Sequence, residues 1–530
     1  MLLVCTYSFI RCASRVLLPI LTYTYIIMAA SGCNNDQTNS SQPAAEPPLT
    51  ASNPVLRLLE PRETGIDFQN QIIETYEDNI TININMYNGG GVAVGDFNND
   101  GLPDIYFVCS NGKNRLYQNE GKMKFRDIAD AAGVASEGGF ETAATAADVN
   151  GDGWLDLYVC RAGVEKNEAR RNKLYISNGT SASGTVTFTE RSREFGLDDM
   201  SASTGANFFD FDNDGDLDLY LLNYPTEAVY TNKVEAKLGD DGKYHPLLYP
   251  RSPLDTDRFY RNDGNNHFTD ISQAAGIWNL GYGLSVSVTD VNRDGWLDVY
   301  VANDFVQPDI LYINNKNGTF TDRLSDYFQH ISQHTMGTDI TDFDNDGLVD
   351  MFTVDMLGAN NYRRKTLLGT TTQSMYTTMV QNGYFEPVVR NTLQRNNGNG
   401  TFSDVGCLAG VFQTDWSWSG LVFDMDNDGQ RDIHVSNGYR REVTNRDFRD
   451  FTLPEISKAS GGKQLRDQYP DLNDFLNLLP SYKVRNFCFK NNGDWTFEDV
   501  GGKWMTMPAS WSCGAAWADL DADGDLDLVV

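Results

Sequence analysis

Seven stretches of nine residues place oxygen-bearing side chains at alternate positions around a glycine. The fullest is Asp210-Phe211-Asp212-Asn213-Asp214-Gly215-Asp216-Leu217-Asp218, and the others begin at Asp96, Asp148, Asp290, Asp342, Asp424 and Asp519. Positions 1, 5 and 9 are always Asp, position 3 is Asp or Asn, and position 6 is Gly. Such spacing suits a hard cation: Ca²⁺ accepts about six to eight oxygens at about 2.3–2.6 Å in a flexible geometry, and the glycine lets the backbone turn sharply. The expected calcium ligands are Asp96, Asn98, Asp100 and Asp104 in loop 1, and Asp148, Asn150, Asp152 and Asp156 in loop 2. Loop 3 offers Asp210, Asp212, Asp214 and Asp218, and loop 4 offers Asp290, Asn292, Asp294 and Asp298. Loops 5, 6 and 7 offer Asp342, Asp344, Asp346, Asp350; Asp424, Asp426, Asp428, Asp432; and Asp519, Asp521, Asp523, Asp527.

These loops need elements that hold them. An EF-hand would carry a bidentate Glu at position 12. Position 12 is Phe107, Val159, Leu221, Val301, Thr353, Val435 and Val530, none of them acidic. The residues after each loop read as a strand, as in Asp104-Ile-Tyr-Phe-Val and Asp298-Val-Tyr-Val, and those before it alternate, as in Gly91-Val-Ala-Val-Gly. Each copy is therefore predicted to be a β-hairpin tipped by a metal loop. A second motif follows: Leu116-Tyr-Gln-Asn119-Glu-Gly121 with Phe125-Arg-Asp127-Ile, and again Phe259-Tyr-Arg-Asn262-Asp-Gly264 with Phe268-Thr-Asp270-Ile. Shorter copies lie at 174–178, 311–315, 393–397 and 487–491. Asn-x-Gly between short alternating runs signals another hairpin.

One repeat is thus four strands, and radial iteration of four-stranded repeats builds a β-propeller. The predicted fold is all-β, a seven-bladed β-propeller with Ca-binding hairpin loops. Insertions fall near 223–258, 356–390 and 438–486, with a small helical insertion near 440–485. The seventh repeat reaches Leu528-Val529-Val530 without a second hairpin, so the last blade is expected to be incomplete and the chain truncated at its C-terminus. Closing strands from the segment Gly65-Ile-Asp-Phe-Gln are the other way to complete it.

The 530 residues carry a formal net charge of −31, and 25 of the 73 acidic residues sit at positions 1, 3, 5 and 9 of the loops. With no basic stripe, nucleic acid is excluded as a partner. Residues 1–32 read as a lipoprotein signal peptide: Arg11 and Arg15 precede an apolar run ending at Ala30-Ser31-Gly32-Cys33. Cys33 would carry lipid, 33–54 would be a flexible tether, and 55–530 the propeller. The membrane is then met through the anchor only, as in an outer membrane lipoprotein on the cell surface or periplasmic face of a Gram-negative bacterium. Cys109, Cys160, Cys407, Cys488 and Cys513 lack disulfide spacing and are expected to be buried thiols.

On its Asp-x-[Asp/Asn]-x-Asp-Gly-x-x-Asp loops the chain resembles the FG-GAP/VCBS repeat family, including the integrin α-subunit propeller. The leader, Gly89-Gly-Gly-Val-Ala-Val-Gly-Asp96 and the Leu-Tyr-x-Asn-x-Gly hairpins are similar to those of bacterial surface lipoproteins related to cartilage acidic protein. The resemblance implies adhesion or glycan handling. The C-terminal ASPIC/UnbV domain usual in those relatives is not found in this sequence.

No phosphate loop, Gly-x-Ser-x-Gly or Cys-x-x-Cys occurs, and no catalytic set is recognised. His330 and His334 have the four-residue spacing of a helical ligand pair but lead straight into a strand. Eight residues before each loop lie Asn88, Phe140, Ala202, Tyr282, His334, Trp416 and Trp511, expected on the rim opposite the metal loops. Tyr282, His334, Trp416, Trp418 and Trp511 are the candidate ligand-binding residues, since aromatic rings beside polar groups suit sugars or protein hot spots. Packing between blades is the alternative use of the same rings. The functional reading is a calcium-binding module for glycan or protein ligands, with a lyase-like glycan enzyme as the alternative.

Overall fold

The seven metal loops close hairpins of identical register. The residue before position 1 pairs with the position 9 Asp in every copy: Gly95 with Asp104, Ala147 with Asp156, Phe209 with Asp218, Thr289 with Asp298, Thr341 with Asp350, Phe423 with Asp432 and Ala518 with Asp527. This computed structural model describes residues 48–530 except 53, 84, 137, 164–167, 183, 227–232, 248–252 and 368–372. Residues 45–530 make one compact unit. The expected signal peptide and Cys33 lie outside the described residues.

Six repeats form four-stranded antiparallel sheets. Sheet 1 is Val92–Gly95, Asp104–Phe107, Arg115–Asn119 and Phe125–Asp127, and sheet 6 is Ser417–Phe423, Asp432–Asn437, Phe487–Asn491 and Phe497–Asp499. The seventh loop joins Ala516–Ala518 to Asp527–Val529 in a two-stranded sheet. The first strands face a common cavity of about 220 Å³, to which every repeat contributes, through Gly91, Thr142, Thr204, Ser285, Thr338, Ser419 and Gly514 among others, and which Trp418 also lines. Within the sheets, the apolar residues of alternating strands pack against the next sheet. Tyr106, Leu157 and Val159 share one such core, and Tyr158, Leu219 and Leu221 share the next.

The fourth strand leads into a single helical turn. In sheet 1, Asp127 Oδ1 accepts from Ala129 N at 3.0 Å, opening Ala129–Ala132, and Gly133 closes it in the left-handed region at φ 81°. This geometry explains the Asp-Ile-x-x-Ala-Ala-Gly pattern of the sequence.

The insertion near 440–485 is helical as expected. Residues 438–486 contribute the helices Leu453–Ser460, Leu465–Gln468 and Leu472–Leu476. The segment Gly65–Gln69 is not a strand; Phe68 instead stacks on Phe107 with ring centroids 4.7 Å apart. Leu49 and Thr50, inside the expected tether, pair with Met507 and Thr506. Cys109, Cys160 and Cys488 are buried free thiols as expected, whereas Cys407 is exposed. Among the described residues no helix is long and apolar enough to cross a membrane.

One core position departs from the repeat. Tyr106, Tyr158, Tyr220 and Tyr300 are buried two residues after the position 9 Asp, with hydroxyls donating to Val134 O, Leu197 O, Asp257 and Asp309. Sheet 5 has Phe352 there and sheet 6 has His434, whose two ring nitrogens are buried without a partner. Burial pushes the His434 pKa down to about 4, so the ring is neutral at pH 7. An unsatisfied buried polar group costs about 1–3 kcal/mol. His434→Phe is therefore expected to stabilise the chain by about 1–2 kcal/mol, raising the urea midpoint; a lowered midpoint would show that the imidazole is satisfied.

Candidate metal centre

Each loop is preorganised by its own aspartates. Position 1 accepts from the backbone N–H of positions 5 and 6, as in Asp100 N and Gly101 N to Asp96 at 3.0 and 2.7 Å. The same pair of bonds recurs in all seven loops. Position 5 accepts from the N–H of position 7, for example Leu348 N to Asp346 at 2.8 Å. The backbone can fold this way because position 6 is Gly at φ between 84° and 96°. A Cβ is disfavoured there on conformational grounds alone.

Position 4 is a second left-handed residue that the spacing of carboxylates did not reveal. It is Asn99, Asn213, Asn345 and Asn427 in four loops, Gly151, Arg293 and Ala522 in the others, all at φ between 55° and 68°. Asn tolerates this region, and its amide also reaches the next repeat. Asn99 Nδ2 donates to Gly153 O and Asn345 Nδ2 to Gly429 O, both at 3.1 Å. The loops are thereby tied to one another.

Position 9 joins the loop to the rest of its sheet. One oxygen accepts from position 2 N–H in every loop, from Phe97 N to Asp104 at 3.2 Å through Leu520 N to Asp527 at 3.0 Å. In sheets 1 to 6 the other oxygen accepts from a third-strand N–H: Asn119, Ser177, Asn262, Asn314, Asn396 and Asn491, at 2.7–2.9 Å. Three of these asparagines also donate from their amides to the preceding repeat, Asn119 to Leu520 O at 2.7 Å, Asn314 to Phe211 O at 2.8 Å and Asn491 to Phe343 O at 3.3 Å.

The donor set fits a hard cation. In loops 3, 5, 6 and 7, carboxylate oxygens of positions 1, 3 and 9 lie within 4.8 Å of one another. Asp212, Asp344 and Asp426, at position 3, each keep one oxygen buried with no hydrogen-bond donor. A buried acceptor without a donor is costly, and these oxygens lie in clusters that could hold a metal ion. In loops 1, 2 and 4 the position 3 Asn instead accepts from position 5 N–H at 3.0–3.1 Å.

Electrostatics agree. Burial, reinforced by the neighbouring carboxylates, pushes the position 9 acids up: Asp104, Asp156 and Asp350 to about 7, Asp218 to about 8, and Asp298, Asp432 and Asp527 to about 6.

The expected rim residues are mostly covered. Trp416 stacks on Tyr439 at 4.1 Å, Trp418 lies 5.9 Å from the same ring and donates to Gly438 O, and both are buried. Tyr282 is buried between Tyr224 and Phe305. His334 is buried with Nδ1 2.8 Å from Asp304, while His330 meets Asp404 at 2.9 Å, so the two histidines do not converge. The cause is long-range: Ile80, Met86, Tyr87 and the insertion residues Leu472 and Phe475 pack in the same core as Trp416 and Trp418. Trp511 differs, with 37% of its surface exposed and Lys483 and Arg440 over its ring. A larger groove of about 760 Å³ is lined by residues including Gln71, Ile73, Asn111, Lys113 and Arg170, and by Phe140, itself one of the residues expected on the rim.

Residues 96–159, 247–301, 290–353 and 472–530 match the FG-GAP-like repeat family. Cartilage acidic protein 1 of Xenopus tropicalis is 27% identical over 248 residues, covering 46% of this chain and 34% of that protein. The Homo sapiens protein of the same name is 34% identical over 136 residues, covering 25% of this chain and 20% of that protein. The chain thus spans about a third or less of the curated relatives it matches. An Agrocybe aegerita lectin structure described as recognising non-reducing terminal N-acetylglucosamine is 17% identical, with a TM-score of 0.38, over 79% of this chain and 84% of that one.

The raised acids set a pH dependence. Unfolded Asp titrates near 3.9, so the metal-free fold binds extra protons. The stability these groups contribute is fully present below about pH 4 and is lost as pH rises through their 6 to 8 range. In chelator the melting temperature is expected to fall from pH 5 to pH 8, and calcium to abolish that fall by stabilising the ionised form. Parallel curves with and without calcium would contradict it.

Proposed function

We propose that this chain, a protein of FG-GAP-like repeats, is a calcium-stabilised binding module of the cell surface that takes glycan or protein ligands. The observation that carries the metal part is the buried, donor-less oxygen at position 3 of Asp212, Asp344 and Asp426, beside the position 1 and 9 carboxylates of the same loops. A bound cation supplies positive charge that removes the mutual repulsion of these acids. The chain's own residues do the rest: position 1 fixes the turn, position 5 holds its exit, and position 9 connects it to the third strand.

Ligand contact is proposed away from the loops. The groove offers amides at Gln71 and Asn111, an ammonium at Lys113 and the exposed apolar side chain of Ile73. Trp511 adds an indole held by its Nε1 bond to Tyr482 O at 2.9 Å, so a ring is presented with little freedom left to lose. Amphipathic rings and adaptable polar groups are what saccharides and protein hot spots engage. The proposed anchor is lipid on Cys33, which would hold the propeller at an outer membrane face, and Cys33→Ala is expected to move the protein from the membrane to the soluble fraction.

The test is a panel of glycans and surface proteins assayed for binding and for bond cleavage, with and without calcium. Calcium-dependent retention without cleavage supports the binding reading, and cleavage products would favour a glycan-active enzyme. Trp511→Ala is expected to weaken retention by about 2 kcal/mol, a hot-spot magnitude, with little change in melting temperature. Retained binding would remove Trp511 from the contact surface.

A further inference from the structure

Position 3 of the loop and one residue of the third strand change together. The strand residue is the one just before the N–H that bonds the position 9 Asp. Where position 3 is Asn98, Asn150 or Asn292, it is the uncharged Gln118, Ile176 or Ile313. Where position 3 is Asp212, Asp344 or Asp426, it is Arg261, Arg395 or Lys490. An added carboxylate is matched by an added cation, so the formal charge of each of these six sites stays at three aspartates' worth.

The three cations are not placed alike. Arg261 is turned away onto Asp263 at 2.6 Å. Arg395 lies 3.7 Å from Asp344 and over the Trp495 ring at 5.0 Å. The Lys490 ammonium, 5.3 Å from the Trp504 ring centroid, instead donates to Asp426 and, at 2.7 Å, to Asp428, bridging positions 3 and 5 of loop 6. Lys316 reaches loop 4 from the hairpin turn and meets only Asp294, at 3.2 Å.

We propose that Lys490 is a built-in competitor for the cation of loop 6. This rests on the reading of the loops as calcium sites. A divalent ion entering loop 6 must first displace an ammonium from two of its ligands, whereas at loops 3 and 5 the arginine leaves position 5 free to coordinate. The sites therefore fill unequally, and loop 6 loads last and empties first as calcium changes. Loop 6 also contacts the seventh repeat through Asn427 Nδ2 to Asp525 at 2.5 Å, so its loading bears on the junction with the two-stranded sheet.

Calorimetric calcium titration of the wild-type chain, Lys490→Met and Arg261→Met tests this. Wild type is expected to show one site about 10-fold weaker than the strong class, a usual size for coupling between two binding events. Lys490→Met is expected to bring that site into the strong class, and Arg261→Met to leave the weak step in place. In chelator Lys490→Met should melt below wild type, because Asp426 and Asp428 lose their counter-charge, and calcium should close the gap. If Lys490→Met does not fold, Lys490→Gln serves the same comparison. Wild-type binding with superimposable Lys490→Met curves overturns the competitor role alone. No calcium response in wild type overturns the calcium reading and this inference with it.

Discussion

The structure depends on a carboxylate at the start of the second strand of every repeat, buried in sheets 1 to 6 and half-buried in the seventh. In sheets 1 to 6 that aspartate is at most 1% exposed, and its two oxygens accept from the loop's own second N–H and from the third strand. It is therefore the shared partner of the metal loop and of both hairpins. Burying a charge in such a place is costly unless it is compensated. The metal-free fold compensates by raising the acid's pKa, and a cation would compensate by direct coordination. If the loops take up a cation as proposed, stability and metal loading are one equilibrium seen from two sides.

This arrangement was legible in the sequence because it is local. The nine-residue loop, the alternating strands either side and the Asn-x-Gly hairpin all act within a few dozen residues; the register at the metal loop is constant, and the second hairpin repeats it in every four-stranded sheet but sheet 2, which has a longer turn and a bulge. Two features within the same loops escaped a reading by carboxylates. The left-handed turn at position 4 carries Asn in four copies, a conformational signature. The match between position 3 and the third-strand residue needs the strand register, because the two are 20 to 64 residues apart in the chain, as Asn98 to Gln118 and Asp426 to Lys490 illustrate.

The rim was less legible for a physical reason. Tyr282, His334, Trp416 and Trp511 share a phase relative to the loops, with Trp418 two residues further on, but phase says nothing of what folds over them. Tyr439 stacks on Trp416, and the helices of the 438–486 insertion share a core with Ile80 and Met86 from far upstream. Contacts across more than 350 residues, such as Arg441 with Glu74 at 2.8 Å, leave no periodic trace. Candidate ligand contacts thus shift to Trp511 and to the groove beside Ile73.

Repeated loops that are cation sites built into the fold, as proposed, differ from loops that are a solvated acidic surface in what they bind. Equilibrium dialysis of the folded chain against calcium, with magnesium in excess as competitor, measures this directly. The account predicts saturation at about seven calcium ions per chain, one for each loop of the sequence, retained against magnesium because the loops are flexible oxygen cages. No saturable calcium, or complete displacement by magnesium, would contradict it.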